Sequence, residues 1–232
     1  MLMDIFSTFD PATNSFSNYS LSAPFFWLFN FILVFLATSS FWSTPGRLIT
    51  LTSFISSILY SQASRTSGLH LKSFSAFLPA LFILLITSNL YGLIPYTFSI
   101  TSHLLFTLTL GLILWFSLIL SGLIFNFPKF IASFLPGGAP DWLNPFLVLI
   151  ETISISVRPI TLSFRLAANM SAGHIVLSLM GVYTASAMFS SSLLFSSLLV
   201  TQSGYMLFEV GICLVQAYIF SLLLTLYADD HP

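Results

Sequence analysis

Long apolar runs alternate with short polar connections along the first half of the chain. A helix rises about 1.5 Å per residue and the hydrocarbon core of a bilayer is about 30 Å thick, so about 20 uncharged apolar residues can cross it. Three runs reach this length, at residues 23–42, 73–95 and 97–127, with Pro95 between the second and the third. The pattern therefore predicts three transmembrane helices that stand roughly upright.

Two apolar stretches of a different kind follow the loop predicted at residues 128–141. Residues 143–183 and 186–228 are each more than 40 residues long. As helices they would measure on the order of 60 Å, about twice the bilayer thickness. They are either broken, at Pro159 or at glycines, or unbroken and steeply tilted in the membrane. Length alone leaves both alternatives open.

The connection after the first run has the pattern of an amphipathic helix. In residues 47–64, apolar and hydroxyl side chains recur at spacings of three and four and fall on two different faces. The apolar set is Leu48, Leu51, Ile55 and Ile58, and the polar set is Thr50, Ser53, Ser57 and Ser61. This pattern is typical of a helix that lies at the membrane interface.

Composition supports a membrane protein and excludes several other classes. Apolar residues make up 56% of the chain and charged residues 6%, against roughly a quarter charged in soluble domains. The net charge is −1, so no basic field is present to bind nucleic acid. Cys213 is the only cysteine, which excludes an intrachain disulfide and a cysteine-clustered metal site. The partner that composition predicts is therefore the lipid membrane.

The domain organisation is predicted to be a single integral-membrane domain, since no internal repeat is visible. Residues 1–72 hold an N-terminal tail, the first span and the interfacial helix. Residues 73–127 hold spans two and three, and residues 143–232 hold the two long helices. The first 22 residues resemble neither a secretory signal nor a transit peptide, so we expect no removable leader there.

The positions of the cations predict the orientation in the membrane. Arg47, Arg65 and Lys72 lie in the first connection, and Lys129 lies in the third. Lysine and arginine are enriched in loops that stay on the inner side. Both connections fall on the same side if each of the first three runs spans once. We therefore expect the N-terminus outside, the start of the fourth stretch inside, and the C-terminus inside.

Charged and polar side chains interrupt the two long stretches. They are Glu151, Arg158, Arg165, Asn169 and His174 in the first, and Glu209 and Gln216 in the second. A charged residue at the centre of a bilayer costs about 2.5 to 3.5 kcal/mol, so these groups must be paired, hydrated or facing protein. On one helix the first four form a stripe, because steps of seven residues rotate by only about 20°. His174 lies on the opposite side, and the last two share a face.

Functional and structural alternatives remain for most of these residues. A packing role is hardest to argue for Arg165. Glu151 and Glu209 have the alternative of a structural ion pair, and His174 that of a satisfied neutral histidine. Arg158 fits best as a structural partner of Glu151.

The remaining polar residues have plainer alternatives. For Asn169 and Gln216 the alternative is a hydrogen bond between helices. Asp229 and Asp230 have the alternative of a solvated tail. His103 stands alone in the third span and is interpreted as structural.

Several segments resemble subunit a of mitochondrial F-type ATP synthases. The most specific are residues 163–174 (SFRLAANMSAGH) and residues 150–159 (IETISISVRP). Residues 87–95 (TSNLYGLIP), 134–140 (FLPGGAP) and 209–218 (EVGICLVQAY) follow the same family order. Together these segments cover most of residues 73–232. Ala167 departs from the pattern, because a hydroxyl residue is expected there.

The resemblance implies a stator subunit that meets a ring of small carboxylate-bearing membrane subunits and other stator subunits. By position, Arg165 matches the essential arginine, and His174 and Glu209 match an outer proton half-channel. Glu151 matches an inner half-channel, and Asp230 is a weaker match to a further inner group. The implied location is the mitochondrial inner membrane, with a bacterial plasma membrane as the alternative. The implied fold class is all-α integral membrane: about three upright transmembrane helices, one interfacial helix, and two long, steeply tilted C-terminal helices forming a hairpin.

Elementary chemistry supports the same roles. A guanidinium stays protonated at any relevant pH, so Arg165 cannot relay a proton and can separate two half-channels. Along a helix, Glu151 lies about 21 Å before it and His174 about 14 Å after it, which is the order that offset half-channels require. Asn169 and Gln216 are further candidates for the proton path. Each proton crossing about 100 mV would release about 2.3 kcal/mol to drive rotation.

Two other classes of protein account for fewer of these sequence features. A secondary proton-coupled transporter would also place arginine and glutamate in the membrane, but such folds show matching halves with broken helices. A structural or quinone-contacting subunit of a respiratory complex would explain the apolarity but not the charges that flank one arginine. No nucleophile with its base and no phosphate-binding loop is visible, so we predict a non-catalytic chain without a cofactor.

Overall fold

The computed structural model describes residues 46–65, 74–94, 97–135 and 141–229, together with Phe9 and Leu28. These residues contain no β-strand, and the prediction of an all-α chain is confirmed. The helices are α1 (Arg47–Ala63), α2 (Phe74–Gly92), α3 (Leu104–Phe125), α4 (Phe127–Ser133), α5 (Asn144–Ala187) and α6 (Ser192–Asp229). Two short 3-10 turns, Ile100–Ser102 and Asp141–Leu143, precede α3 and α5. The predicted first span, residues 23–42, lies outside the described residues except for Leu28.

Four of these helices, α2, α3, α5 and α6, are long and apolar enough to cross a membrane. Helix α5 has 44 residues and α6 has 38, which correspond to about 66 Å and about 57 Å. Pro159 lies inside α5 without ending it. The alternative of a break at this proline is therefore wrong, and the long stretches form two continuous helices. Their steep tilt in the membrane stays a prediction.

A close approach of α3 accompanies Pro159. A Cβ atom added at Gly111 of α3 would lie 3.4 Å from the backbone oxygen of Pro159 and 3.6 Å from Cβ of Ser163. The two helix backbones therefore come close at the point where the proline interrupts the regular hydrogen bonding of α5. This contact joins α3 to the first half of the long hairpin.

Two predicted boundaries need correction. Helix α3 begins at Leu104 and not at residue 97, because hydroxyl side chains before it bond to nearby carbonyl oxygens and compete with helix formation. Thr97 Oγ1 donates to the backbone oxygen of Tyr91 at 2.8 Å, and Ser102 Oγ donates to that of Ser99 at 2.7 Å. The loop predicted at residues 128–141 begins instead with helix α4, whose first turn contains a proline, a position that favours helix initiation.

The packing order places the long hairpin at the centre of the described bundle. Helix α2 contacts both α1 and α6, and α5 contacts both α6 and α3. The main core joins apolar side chains from α1, α2, α5 and α6. It consists of Leu59, Phe74, Leu78, Leu81, Phe82, Leu85, Leu162, Leu166, Ala217, Phe220, Leu224 and Ala228. A smaller cluster of Leu93, Met170 and Cys213 lies further along the hairpin.

Helix α1 occurs where the sequence predicted it, but it packs through a different face. Leu59 and Ala63 are buried and Ile55 is partly buried, whereas Leu51 and Ile58 are exposed. Leu51 and Ile58 thus share an exposed apolar face, as their spacing predicts, and α2 covers a neighbouring strip of the helix. The side chain of Leu48 lies outside the described residues. The exposed apolar side of α1 fits the interfacial position, which stays a prediction.

Candidate functional site

Three contacts fix the antiparallel register of the hairpin. Asn169 Nδ2 donates to Gln216 Oε1 at 2.9 Å. Arg158 lies over the ring of Tyr227 at 5.2 Å from its centroid, and Gly173 faces Glu209. Each step toward the end of α5 is matched by a step toward the start of α6. Most of the predicted polar residues are thus distributed along a single helix–helix seam.

Glu209 is the most deeply buried carboxylate of the described residues. Its side chain is 2% exposed. The hydroxyl of Tyr205, one turn earlier on α6, donates to Oε1 at 2.9 Å. The second oxygen, Oε2, is buried and has no hydrogen-bond partner among the described residues. A carboxyl group bonded in this way can hold a proton on Oε2 while Oε1 accepts from the tyrosine.

The backbone of Gly173 makes room for this carboxylate. A Cβ atom added at Gly173 would overlap the Glu209 carboxyl group, and even its most distant oxygen, Oε2, would be 2.7 Å away. Real Cβ atoms essentially never approach another atom so closely. Position 173 therefore needs a glycine as long as Glu209 keeps this conformation.

His174 follows Gly173 directly on α5. Its ring is half-buried, and its Nε2 atom is buried without a hydrogen-bond partner among the described residues. The ring of Phe9 meets it edge-on, with centroids 6.2 Å apart and planes at 86°. Because Gly173 faces Glu209, His174 and Glu209 lie at about one level of the hairpin, and their shared proton path stays a prediction. No ion pair joins them in the part of the chain that is described.

Arg165 lies near the middle of α5 on its outer side. Its side chain is exposed, and so is that of Asn169 one turn later, whereas Leu166 and Met170 face inward and are buried. The described residues offer Arg165 no ion pair. An exposed arginine midway along a helix of membrane length meets water, lipid or another protein, and lipid is the costly environment.

Glu151 and Arg158 form the ion pair that their spacing suggested. Arg158 Nη2 donates to Glu151 Oε1 at 3.4 Å, and the two side chains are 28% and 35% exposed. Both line a cavity of about 220 Å³ between α3, α4, α5 and α6. Its other lining side chains include Trp115, Phe130, Ser133 and Tyr227. The carboxylate of Glu151 therefore reaches an internal space at the start of α5, far from Glu209.

The structure says less about the roles of the remaining predicted residues. Asp230 lies outside the described residues, and Asp229 is the last residue of α6. His103 precedes α3, where the ring of Phe98 stacks on it at 4.9 Å, which fits the structural interpretation. No group of three histidine, cysteine or acidic side chains in the described ranges could hold a metal ion.

Sequence reasoning missed two residues that contact the Glu209 carboxyl group, Tyr205 and Gly173. Tyr205 stands four residues before Glu209, and this spacing on one helix places side chains together, so it could have been found. The role of Gly173 depends on the register between two helices. No pattern within either helix specifies that register.

Comparison with known proteins places these residues in a family. The family model described as ATP synthase A chain matches residues 21–229. The chain is 41% identical to ATP synthase subunit a of Albinaria caerulea over 233 residues, which cover 100% of both chains. It is 38% identical to the subunit a of Locusta migratoria and 37% identical to that of Drosophila melanogaster, with 99% of each chain covered.

Proposed function

Because the chain belongs to the ATP synthase subunit a family, we propose that it passes protons to and from a rotating ring of small carboxylate-bearing subunits. It is a proton-channel subunit of the ATP synthase membrane sector and a multi-pass protein of the mitochondrial inner membrane. The chain itself performs no ATP chemistry, which resides in other subunits of the complex. Two half-channels, one open to each side, meet the ring on either side of Arg165.

The observation that carries this proposal is the position of Arg165. Its guanidinium is exposed on the outer side of α5 and has no carboxylate partner in the described part of the chain. A ring carboxylate that passes within about 4 to 6 Å would supply the missing counter-charge and would be favoured in its ionised form. Since the guanidinium keeps its own proton, protons cannot leak past it between the half-channels.

The outer half-channel leads through His174 and Glu209. These two groups share one level of the hairpin, and each has a buried, unsatisfied atom within the described residues. The hydrogen-bonded pair Asn169 and Gln216 lies between that level and Arg165. Polar groups thus follow one another along the seam toward the arginine.

The inner half-channel begins at Glu151. Its carboxylate lines the cavity at the start of α5, about 21 Å along the helix from Arg165. Asp230, at the end of the chain, is a further candidate on this side. The offset between the cavity and the Glu209 level makes a proton travel with the ring before it can leave, so that proton flow drives rotation.

The test is Arg165→Lys in the assembled ATP synthase. Lysine keeps the charge but offers a compact ammonium whose proton can be lost when the group is buried, so we expect proton-driven ATP synthesis to disappear while assembly persists. Arg158→Lys is the matched control and should retain synthesis, because Arg158 is paired with Glu151. Synthesis within about twofold of normal in Arg165→Lys would contradict the proposal.

A further inference from the structure

The hydroxyl of Tyr205 is the only side-chain donor to Glu209 among the described residues. The bond to Oε1 measures 2.9 Å and spans one turn of α6. The tyrosine ring is half-buried and lies 6.1 Å from the ring of Phe208, tilted by 44°.

The carboxylate that receives this bond is enclosed by the hairpin. It is 2% exposed and lies against the backbone of Gly173, where even a methyl group would overlap it. Of its two oxygens, one has the hydroxyl as donor, and the other is buried without a hydrogen-bond partner among the described residues.

We propose that Tyr205 is a positioning residue for proton transfer: it binds Oε1 of Glu209 and thereby leaves Oε2 as the oxygen that gains and loses the proton. This inference rests on the proposed function, in which protons pass through Glu209. A carboxyl oxygen accepts the tyrosine bond whether the group is ionised or neutral, provided that the proton sits on the other oxygen. The bond therefore persists through each transfer.

Keeping one conformation in both protonation states has a kinetic benefit. A carboxyl group that had to rotate at each step would present its proton at varying distances, and proton transfer is sensitive to misplacement on the scale of 1 Å. Tyr205 acts through Glu209 and does not itself need to lose its proton. Phenylalanine at this position would preserve the packing and remove only the donor.

The experiment compares Tyr205→Phe with the unchanged chain in the complete ATP synthase. Passive proton conductance of the membrane sector is measured across a range of pH after the soluble head has been removed. We expect conductance to fall about three- to tenfold, the size that the loss of an ordinary hydrogen bond predicts. Its pH profile should change as well, because the lost donor contacts the carboxyl group that exchanges the proton. The titratable neighbours Cys213 and His174 are unchanged in this variant.

Two further variants separate positioning from a purely structural role. Glu209→Asp keeps the carboxyl group but shortens the side chain by one methylene. The carboxyl group then lies too far from the Tyr205 hydroxyl to bond with it, so this change should lower conductance by itself. Adding Tyr205→Phe to Glu209→Asp should then lower conductance by less than about a further twofold, because the hydrogen bond is already lost. Full additivity of the two changes would overturn the proposal. Tyr183→Phe is the matched control, since Tyr183 is exposed and accepts a bond from Ser186 through its backbone oxygen, which the substitution leaves in place.

The outcomes distinguish this inference from the proposed function. If Tyr205→Phe leaves both conductance and pH profile unchanged while Glu209→Gln lowers conductance, the positioning role is wrong and the proton path through Glu209 stands. If Glu209→Gln also conducts normally, the proton path through Glu209 fails as well. Native gel electrophoresis of each complex confirms that it has assembled.

Discussion

The carboxylate of Glu209 occupies the space that any side chain at Gly173 would need. Among the glycines of α5 and α6, Gly173 has the closest neighbour on the facing helix. Gly173→Ala should therefore displace Glu209 and break its bond to Tyr205. We expect proton conductance of the membrane sector to fall about tenfold or more, since small misplacements of a reacting group have effects of this size.

Gly181→Ala on the same helix is the control for this change. No atom of the described residues lies within 4 Å of a Cβ atom added there, and alanine favours a helix over glycine by about 1 kcal/mol. Gly181→Ala should thus keep full conductance and leave stability unchanged or slightly higher. Equal conductance in the two alanine variants would show that Glu209 does not need its present conformation.

The bond between Asn169 and Gln216 predicts a stability effect. Gln216 is 4% exposed, and its Oε1 accepts from Asn169 at 2.9 Å. Replacing Gln216 by Leu should lower the stability of the hairpin by about 1 kcal/mol, a typical value for a hydrogen bond between membrane helices. The measurement is thermal unfolding of the purified complex, with Gln202→Leu, at a half-exposed position of α6, as control. An unchanged melting temperature in Gln216→Leu would mean that the bond contributes nothing.

Arg158 is expected to have a structural role as the ion-pair partner of Glu151. Both side chains are partly exposed and their charged atoms are 3.4 Å apart, and such pairs contribute about 1 kcal/mol or less. Arg158→Gln should therefore retain coupled proton transport, with at most a lower yield of assembled complex. The assay is proton-driven ATP synthesis normalised to the amount of complex. Complete loss of conduction in a normally assembled enzyme would place Arg158 in the proton path itself.

The two half-channels should open to opposite sides of the membrane. Cys213 is fully buried, so Cys213→Ser provides a background without thiols. In that background we expect Val210→Cys, beside Glu209, to react with a membrane-impermeant thiol reagent or silver ion from the outer side. Thr152→Cys, beside Glu151, should react only from the inner side. Reaction of both from the same side would refute the two half-channels even though the family assignment would stand.

Much of the fold followed from the sequence because helix length and polarity are local properties. The bounds of α2, α5 and α6 lie within about six residues of the predictions, and the polar stripe on α5 follows from rotation about one axis. Contacts between helices were harder to predict from the sequence. Which strip of α1 packs, with Leu59 inside and Ile58 outside, depends on α2, and the place of Glu209 depends on the hairpin register. Helix α4 was missed because its seven residues are too few for periodicity to stand out.

The exposed guanidinium of Arg165 also has a consequence for how the complex is built. Under the proposed function, the newly inserted chain presents a permanent charge toward lipid until a ring carboxylate lies opposite Arg165, at a cost of about 2.5 to 3.5 kcal/mol. An orphan copy is thus a strained intermediate, and membrane proteases that sample opened states would remove it preferentially. Insertion beside a finished ring relieves this cost at once. If this subunit is incorporated late during biogenesis, the membrane never contains an open half-channel without a ring or an arginine without a counter-charge.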